Sequence, residues 1–433
     1  MKSKIIEIGA AVILAFLTVI AIFIFIGYKK VDNTIDTIQK IDKQEVKEMT
    51  NPNISNEVIS TLKENWTVAL FGLDSRNMEN LSGTNSDVII IASINNKTGD
   101  IGLMSVYRDT CLKTGDDRYK KVNEAYAMGG PKKAVEVLNE NLDLQLDDYI
   151  AVNWKAVATA VNLLGGVDIE LTKDELKYIN GYITETVKNT GIGSVQIHGE
   201  GMHHLDGVQA VAYSRIRYTA GNDYKRTERQ RTVLNAVLEK AKNSDWATLS
   251  NIITTVFPMT SSSINTKDVI DVAMNVTKYK LVKNGGFPFE IIEKNVDRQD
   301  FVFPDTLETN VVKAHEFLFG TQSYLPSEKV KEISKKIDNK RSGGINNKVK
   351  PPTTQETLPT EPTKESVVQE EAITQAETIS ESENYIETVP ETKMDEIIPE
   401  DKKDDNYGPG FVNSEQEETK TENKPVVRRS ANE

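Results

Sequence analysis

The sequence predicts an α/β protein: a layered α/β/α sandwich around a mixed central sheet, with a single transmembrane helix before it and a disordered tail after it. Three observations predict this. Between Trp66 and Asp338, short β-branched runs alternate with segments of helical spacing, the pattern of strands covered by helices. Ile8–Ile26 carries no charge. After about Lys340 the chain turns rich in Pro, Thr and Glu and poor in aromatics, a composition that cannot bury a core.

The uncharged run has AAVILAFLTVIAIFIFI at its heart and is long enough to span a bilayer. A cleaved signal peptide is the rival reading, but Phe25, Ile26, Tyr28, Lys29 and Lys30 follow where small residues would mark a cleavage site. The expected order is a cytoplasmic stub over 1–7, an anchor over 8–28 and a stalk over 29–64, where Val31, Ile35, Ile38 and Ile41 recur at helical spacing. Lys2, Lys4 and the amino terminus nearly balance Lys29 and Lys30, so charge alone does not orient the anchor.

The main domain is expected over 65–325, with a terminal helix over 326–340 and the tail over 341–433. Thr67–Leu73, Asp87–Ile94, Ile101–Val106, Tyr149–Asn153 and Val167–Leu171 read as strands. Pro131–Leu142 reads as a helix with Pro near its start, and Trp154–Leu164 as a helix stopped by Gly165 and Gly166. Later helices are expected over Trp246–Val256, Lys267–Lys278, Thr309–Phe319 and Ser327–Asp338. There is no internal repeat.

Of the net charge of −13, the tail from Arg341 carries −10, with 11 Lys and Arg against 21 Asp and Glu. The remainder stands at −3, which argues against nucleic acid as a partner. The lone Cys111 excludes a disulfide framework and a cysteine metal cluster. Four histidines offer little metal chemistry, and the adjacent His203 and His204 read as loop residues.

Against this background, Tyr213–Arg231 is a dense cationic stretch: Arg215, Arg217, Lys225, Arg226, Arg229 and Arg231 face only Asp223 and Glu228. If Tyr213–Tyr218 is extended, Arg215 and Arg217 lie on one side. From about Tyr224 a helix is expected, with Val233, Leu234, Val237, Leu238 and Ala241 inward. Counting back along that face reaches Gln230, Arg229 and Arg226, whereas Arg231 falls with Glu228, Asn235 and Glu239 on a face read as solvated. Arginines aimed inward near a helix start suit a phosphate. The plainer alternative is a surface helix laced with Arg–Glu pairs.

Three further clusters sit at strand ends, where α/β sheets bind ligands: Gly72-Leu73-Asp74-Ser75-Arg76, Ser86-Asp87 and Arg108-Asp109-Thr110. Asp74 and Asp87 suit a shared hard cation such as magnesium, which uses few protein carboxylates and completes its shell with water and phosphate oxygens. Each aspartate taken alone reads first as a turn or helix cap; three such clusters beside the cationic stretch reverse that preference.

Seven motifs in order carry a resemblance: GLDSR, SDVIIIASIN, MSVYRDT, KVNEAYAMGG, NLLGGVDIE, LDGVQAVAYSRIRY and NDYKRTERQR. Over about 65–242 the chain resembles the LytR-CpsA-Psr family, and the helical part to about Tyr324 is consistent with it. The resemblance implies an extracellular α/β domain on one membrane anchor, in a Gram-positive type of envelope. It implies a phosphotransferase that moves a glycopolymer of teichoic acid or capsule type from a polyprenyl-pyrophosphate carrier onto peptidoglycan. Magnesium would be held by Asp74 and Asp87. Arg76, Arg108, Arg215, Arg217, Arg226 and Gln230 would surround the pyrophosphate, with Asp109 supporting them. Asp223 would orient or deprotonate the incoming hydroxyl.

Two positions depart from the family pattern. Tyr107 stands where Pro usually precedes Arg-Asp-Thr, and Asn222 stands where Gly usually precedes Asp223. An isoprenoid chain needs a long apolar slot, for which Val135, Leu138, Val157, Val161 and Leu164 are candidates; ordinary core is the alternative for each. The same arginines would also serve a non-catalytic, membrane-anchored receptor for polyprenyl-phosphate lipids, or a pyrophosphate hydrolase in which water replaces the sugar.

Overall fold

The computed structural model describes residues 54–74, 83–218, 222–343 and 345–346. The stub, the anchor, residues 29–53 of the stalk, Arg76 and all but the first few residues of the tail lie outside the described residues. No helix among those described is long and apolar enough to cross a membrane.

The elements in chain order are α1 (Asn56–Leu62), β1 (Asn65–Leu73), β2 (Ser86–Asn95), β3 (Asp100–Val106), β4 (Cys111–Gly115), β5 (Arg118–Lys121), α2 (Glu124–Leu142), β6 (Asp148–Asn153), α3 (Trp154–Leu163), β7 (Val167–Leu171), α4 (Lys173–Thr190), β8 (Gly201–Leu205), α5 (Gly207–Arg215), α6 (Asn222–Lys242), α7 (Trp246–Val256), β9 (Ser261–Ser262), α8 (Thr266–Met274), β10 (Lys280–Phe287), β11 (Ile291–Val296), β12 (Gln299–Pro304), α9 (Leu307–Phe319), α10 (Glu328–Ser342) and β13 (Ile345–Asn346).

The central sheet is mixed, as expected, in the order β10-β3-β2-β1-β6-β9. β1 runs antiparallel to β2 and parallel to β6, β2 antiparallel to β3, and β3 parallel to β10. The strands are buried on both faces, which is why β2 reads VIIIA rather than alternating with polar residues. Ala69, Phe71, Ile89, Ile91 and Met104 face the main core under α2, α9 and α10. Val68, Leu70, Ile90, Ala92 and Leu103 face the opposite layer of α6, α7 and α8. A second apolar cluster joins α3, α4, α5, the antiparallel β7–β8 pair and one side of α6.

Several sequence-based boundaries need correction. The helix expected from Pro131 begins at Glu124 and crosses a kink at Gly129–Gly130; Gly130 has φ 65°, a left-handed conformation that glycine adopts without strain, and Pro131 opens the second segment. Lys173–Thr190 is a helix that the sequence analysis did not assign, although Thr172 and Glu175 form a reciprocal capping box at its start. His203 and His204 lie in β8, not in a loop, and His204 bridges Asp168 (2.7 Å) and the Gly165 carbonyl (2.7 Å). The ordered domain starts before residue 65, because α1 buries Leu62 and packs Val58 on the main core. It also runs past residue 340: α10 continues to Ser342, and Ile345–Asn346 pairs with β11.

The largest correction concerns Tyr213–Tyr218. The stretch is not a strand: α5 runs to Arg215 and only then does the chain extend, at Ile216. A capping box between Asp206 and Gln209 starts this helix, and Gly207–Tyr213 is buried throughout. Arg215 and Arg217 therefore do not share one strand face.

Candidate functional site

The sheet topology brings Asp74, Ser86-Asp87 and Arg108-Asp109-Thr110 to one edge, with Ser75 and Arg76 outside the described residues. The C-terminal ends of β1, β3 and β6 and the N-terminal end of β2 lie there together. Leu73 pairs with Ser86 and Gly72 with Val88, so Asp87 is the extra residue of a β-bulge. A bulge re-aims a side chain at a sheet edge. Gly72 permits it, since a Cβ there would lie 2.7 Å from Val88 Cβ.

Asp87 is the centre of the cluster. Its Oδ1 takes Arg108 Nη1 at 2.9 Å and its Oδ2 takes Arg217 Nη2 at 3.5 Å. Its backbone carbonyl accepts from Arg226 Nη2 at 3.2 Å. Arg226 also pairs with Asp223 at 2.9 Å, one helical turn earlier on α6. Arg108 Nε lies 3.4 Å from Asp109 and 3.7 Å from Asp223, and Lys121 caps Asp109 at 2.8 Å. Three guanidiniums from three segments thus converge on three aspartates.

Arg108 and Arg226 respond to this cluster in opposite directions. Burial works against the charged form of Asp87, yet Arg108, Arg226 and Arg217 together hold its carboxyl below the usual value. Burial pushes Arg226 down to about 10, and repulsion from Arg217 and Arg108 adds to this despite Asp223. Arg108 is raised: burial opposes its charge, but Asp87, Asp223 and Asp109 outweigh that. Arg226 Nε, Arg108 Nε, Gln230 Oε1, Ser86 Oγ and Thr110 Oγ1 are buried without a hydrogen-bond partner among the described residues. Buried polar atoms are rarely left so; the guanidinium N–H groups and the hydroxyls can donate to an anionic ligand, whereas Gln230 Oε1 can only accept and calls for a donor.

Asp74 follows β1 directly and is exposed; its charge acts on Arg215. Arg215 itself turns away from Asp87: its guanidinium stacks 3.6 Å from the Trp154 ring, pairs with Glu185 at 2.8 Å and donates to Thr186 Oγ1 at 3.0 Å. Gln230 is buried one turn beyond Arg226, in accord with the expected inward face of α6. No group of three or more His, Cys, Asp or Glu side chains among the described residues could hold a metal ion.

Arg229 and Arg231 are both structural. Arg229 Nε binds Glu175 at 2.7 Å, and its Nη1 donates to the Ile216 carbonyl at 3.0 Å, fixing the chain between Arg215 and Arg217. Arg231, expected on a solvated face, is buried: it donates to Ser105 Oγ at 2.7 Å and Asn284 Oδ1 at 3.3 Å on the sheet. The long side chain reaches across the helix edge to β3 and β10, which a helical wheel does not register. At the departure Tyr107, the ring packs edge-on to Tyr224 at 4.6 Å, and Gly286 leaves room for its hydroxyl, which a Cβ would approach to 2.0 Å.

The five candidate slot residues do not form one lining. Val135 and Leu138 lie in the main core, whereas Val157 and Val161 belong to the second cluster. Lys121, Glu185, Tyr182 and Glu175 were missed by sequence reasoning. Lys121 stood inside a quoted motif, and the other three sit on α4, whose capping box was the available signal.

A family model described as LytR_cpsA_psr matches residues 22–336. The chain is 28% identical over 252 residues to a polyisoprenyl-teichoic acid--peptidoglycan teichoic acid transferase, TagU, of Enterococcus faecalis, covering 57% of this chain and 73% of that protein. It is 29% identical over 225 residues to TagT of Bacillus subtilis, a transferase of the same description, covering 51% and 67%. A crystal structure of an Enterococcus faecalis protein titled a transcriptional regulator matches with TM-score 0.51 at 20% identity, over 66% of this chain and 98% of that one; at that identity the likeness concerns the fold alone.

Proposed function

The chain belongs to the LytR_cpsA_psr family, and from that premise we propose that it transfers an anionic glycopolymer of teichoic acid or capsule type from a polyprenyl-pyrophosphate carrier onto peptidoglycan. The observation that carries this reading is the convergence of Arg108, Arg217 and Arg226 at one sheet edge, with the Arg226 Nε donor buried and without a hydrogen-bond partner among the described residues. Such a set grips a diphosphate from several directions and steadies the charge that builds on the departing phosphate.

In the proposed reaction a peptidoglycan hydroxyl attacks the phosphorus that bears the glycan. A new P–O bond to the acceptor forms, the bridging P–O bond breaks, and polyprenyl phosphate leaves with the electron pair. Arg108, Arg217 and Arg226 hold the phosphates, and Asp223 takes the hydroxyl proton. Asp109 keeps Arg108 in place, and the family resemblance assigns Arg215 and Arg76 to the phosphate as well.

Asp74 and Asp87 fit a magnesium ion that keeps most of its water. They stand at adjacent strand ends, and the contact of Asp87 Oδ2 to Arg217 is long enough to be exchanged. Bound there, magnesium would act as a Lewis acid on the phosphate oxygens. Asp74→Asn and Asp87→Asn are each expected to weaken magnesium binding without unfolding the domain. The uncharged run Ile8–Ile26 supports a single-pass anchor, and the family resemblance, not the charge balance, motivates placing the domain outside the cell.

The test is incubation of the full chain with a lipid-linked oligosaccharide, peptidoglycan fragments and magnesium, followed by mass analysis. A glycan–phosphate–peptidoglycan product is expected from the wild type and about a hundredfold less from Arg217→Lys, which lacks the planar fork. Binding without product would establish the receptor, and free glycan phosphate the hydrolase.

A further inference from the structure

Beside the arginine cluster lies a strip of aromatic rings that the phosphate chemistry does not use. Trp154 opens α3, Tyr178 and Tyr182 lie one turn apart on α4, and Tyr218 follows Arg217 directly. The strip is continuous with the anion site. Arg215 stacks 3.6 Å from the Trp154 ring and 5.2 Å from the Tyr182 ring. Tyr182 also hydrogen-bonds the Arg217 backbone. Tyr178 and Tyr218 rings are 5.9 Å apart, and Tyr218 remains 58% exposed. Glu185 lies against the strip through its pair with Arg215.

We infer that the strip Tyr182–Tyr178–Tyr218, flanked by Arg217 and Glu185 and backed by Trp154 under Arg215, is a saccharide subsite that receives the first sugars of the glycan borne by the pyrophosphate. The inference rests on the transferase reading above. Aromatic rings offer broad apolar faces with polar tips, which suits a pyranose with one C–H face and a rim of hydroxyls. Glu185 and the tyrosine hydroxyls supply partners for that rim. A prenyl chain fits less well, because it calls for a slot free of water and charge, whereas Tyr218 is open to solvent and two arginines border the strip. Position selects the donor sugar over the acceptor. The ring next to the pyrophosphate is one bond from phosphorus, and Arg217 links Asp87 to Tyr182 over that short span.

The experiment titrates the full chain in detergent micelles with two probes, a prenyl pyrophosphate without sugar and the same lipid carrying a disaccharide. The wild type is expected to bind the disaccharide probe about tenfold more tightly than the bare one. Tyr218→Ala and Tyr178→Ala are each expected to remove about tenfold from the disaccharide probe and less than about twofold from the bare probe. The exposed Tyr218 makes its replacement a safe one for folding, and an unchanged melting temperature checks it. Equal losses for both probes, or none for either, overturn the assignment. So does a phosphate-free peptidoglycan glycan whose binding depends on Tyr218 while that of the lipid-linked disaccharide does not. If the wild type binds neither probe, the transferase reading falls as well; if the bare probe binds through Arg217 and Tyr218→Ala is neutral, only the sugar assignment falls.

Discussion

Arg229→Met tests how the segment that carries Arg215 and Arg217 is held. Arg229 and Glu175 form a buried ion pair at 2.7 Å, with side chains 6% and 8% exposed. The second oxygen of Glu175 accepts from Thr172 N and Oγ1 at 2.9 and 2.8 Å, so the carboxylate cannot swing out when its cation is lost. Removing one partner of such a pair leaves an uncompensated charge in the interior and costs about 3–5 kcal/mol. At about 2–4 °C per kcal/mol for a domain of this size, melting should fall by on the order of 10 °C. The Ile216 carbonyl also loses its donor, and Ile216 separates Arg215 from Arg217, so binding of inorganic pyrophosphate should weaken even where the variant is folded. Calorimetric unfolding and pyrophosphate titration below the transition read the two effects separately. Glu175→Gln combined with Arg229→Met should recover part of the stability, because the stranded charge is gone. A melting temperature within about 2 °C of wild type for Arg229→Met would refute the role of the pair.

Three further outcomes are expected. Arg231→Ala should destabilise the domain by about 2–4 kcal/mol, since it empties a buried site and strands Ser105 Oγ, while Arg231→Met should cost less; chemical denaturation checks both. Truncation after Asn346 should leave melting unchanged, whereas truncation after Lys340 should lower it, because it removes Arg341, whose carbonyl accepts from Lys294 Nζ at 2.6 Å and whose Nη1 donates to the Asp305 carbonyl at 3.0 Å. Two pH effects have opposite sign. The hydrogen bond to Asp168, then that to the Gly165 carbonyl, raises His204, so its stabilisation is complete below about 6.5 and is lost as pH rises through the folded value. Asp87 is lowered, so its contribution stands above about 3.8 and is lost as pH falls through its folded value. Melting profiles of wild type and Asp168→Asn should converge above neutrality, and a constant difference across pH would contradict this.

The strands of the central sheet were legible because burial on both faces writes them as unbroken β-branched runs, as in Val88–Ile91. α7 was legible to the residue because Asp245 caps it and a 3-10 turn ends it. The segment before Arg217 was misread because Tyr213–Tyr218 was taken by itself, apart from the Asp206–Gln209 box that sets its phase. That Asp74, Asp87 and Arg108 would stand together at strand ends was legible from residue type and position alone. The partners of Arg215 and Arg229 were not: the pairing of Arg215 with Glu185, and of Arg229 with Glu175, joins segments 30 to 54 residues apart, and it depends on how α4 packs against α5 and α6. Arg231 shows the same limit, since a helical wheel gives a direction but not a reach.

The position of α6 between two apolar clusters has a consequence for how the protein opens. Leu234 and Leu238 pack toward the sheet, while Val233, Ala236 and Val237 pack into the cluster of α3, α4 and α5. The first half of the same helix carries Arg226 and Gln230. Neither half of the domain can breathe far without moving those side chains. In hydrogen-exchange terms, a ligand held by Arg226 should slow the amides of α4 and α5 as well as those of the sheet, because the opening that exposes either set also releases the ligand.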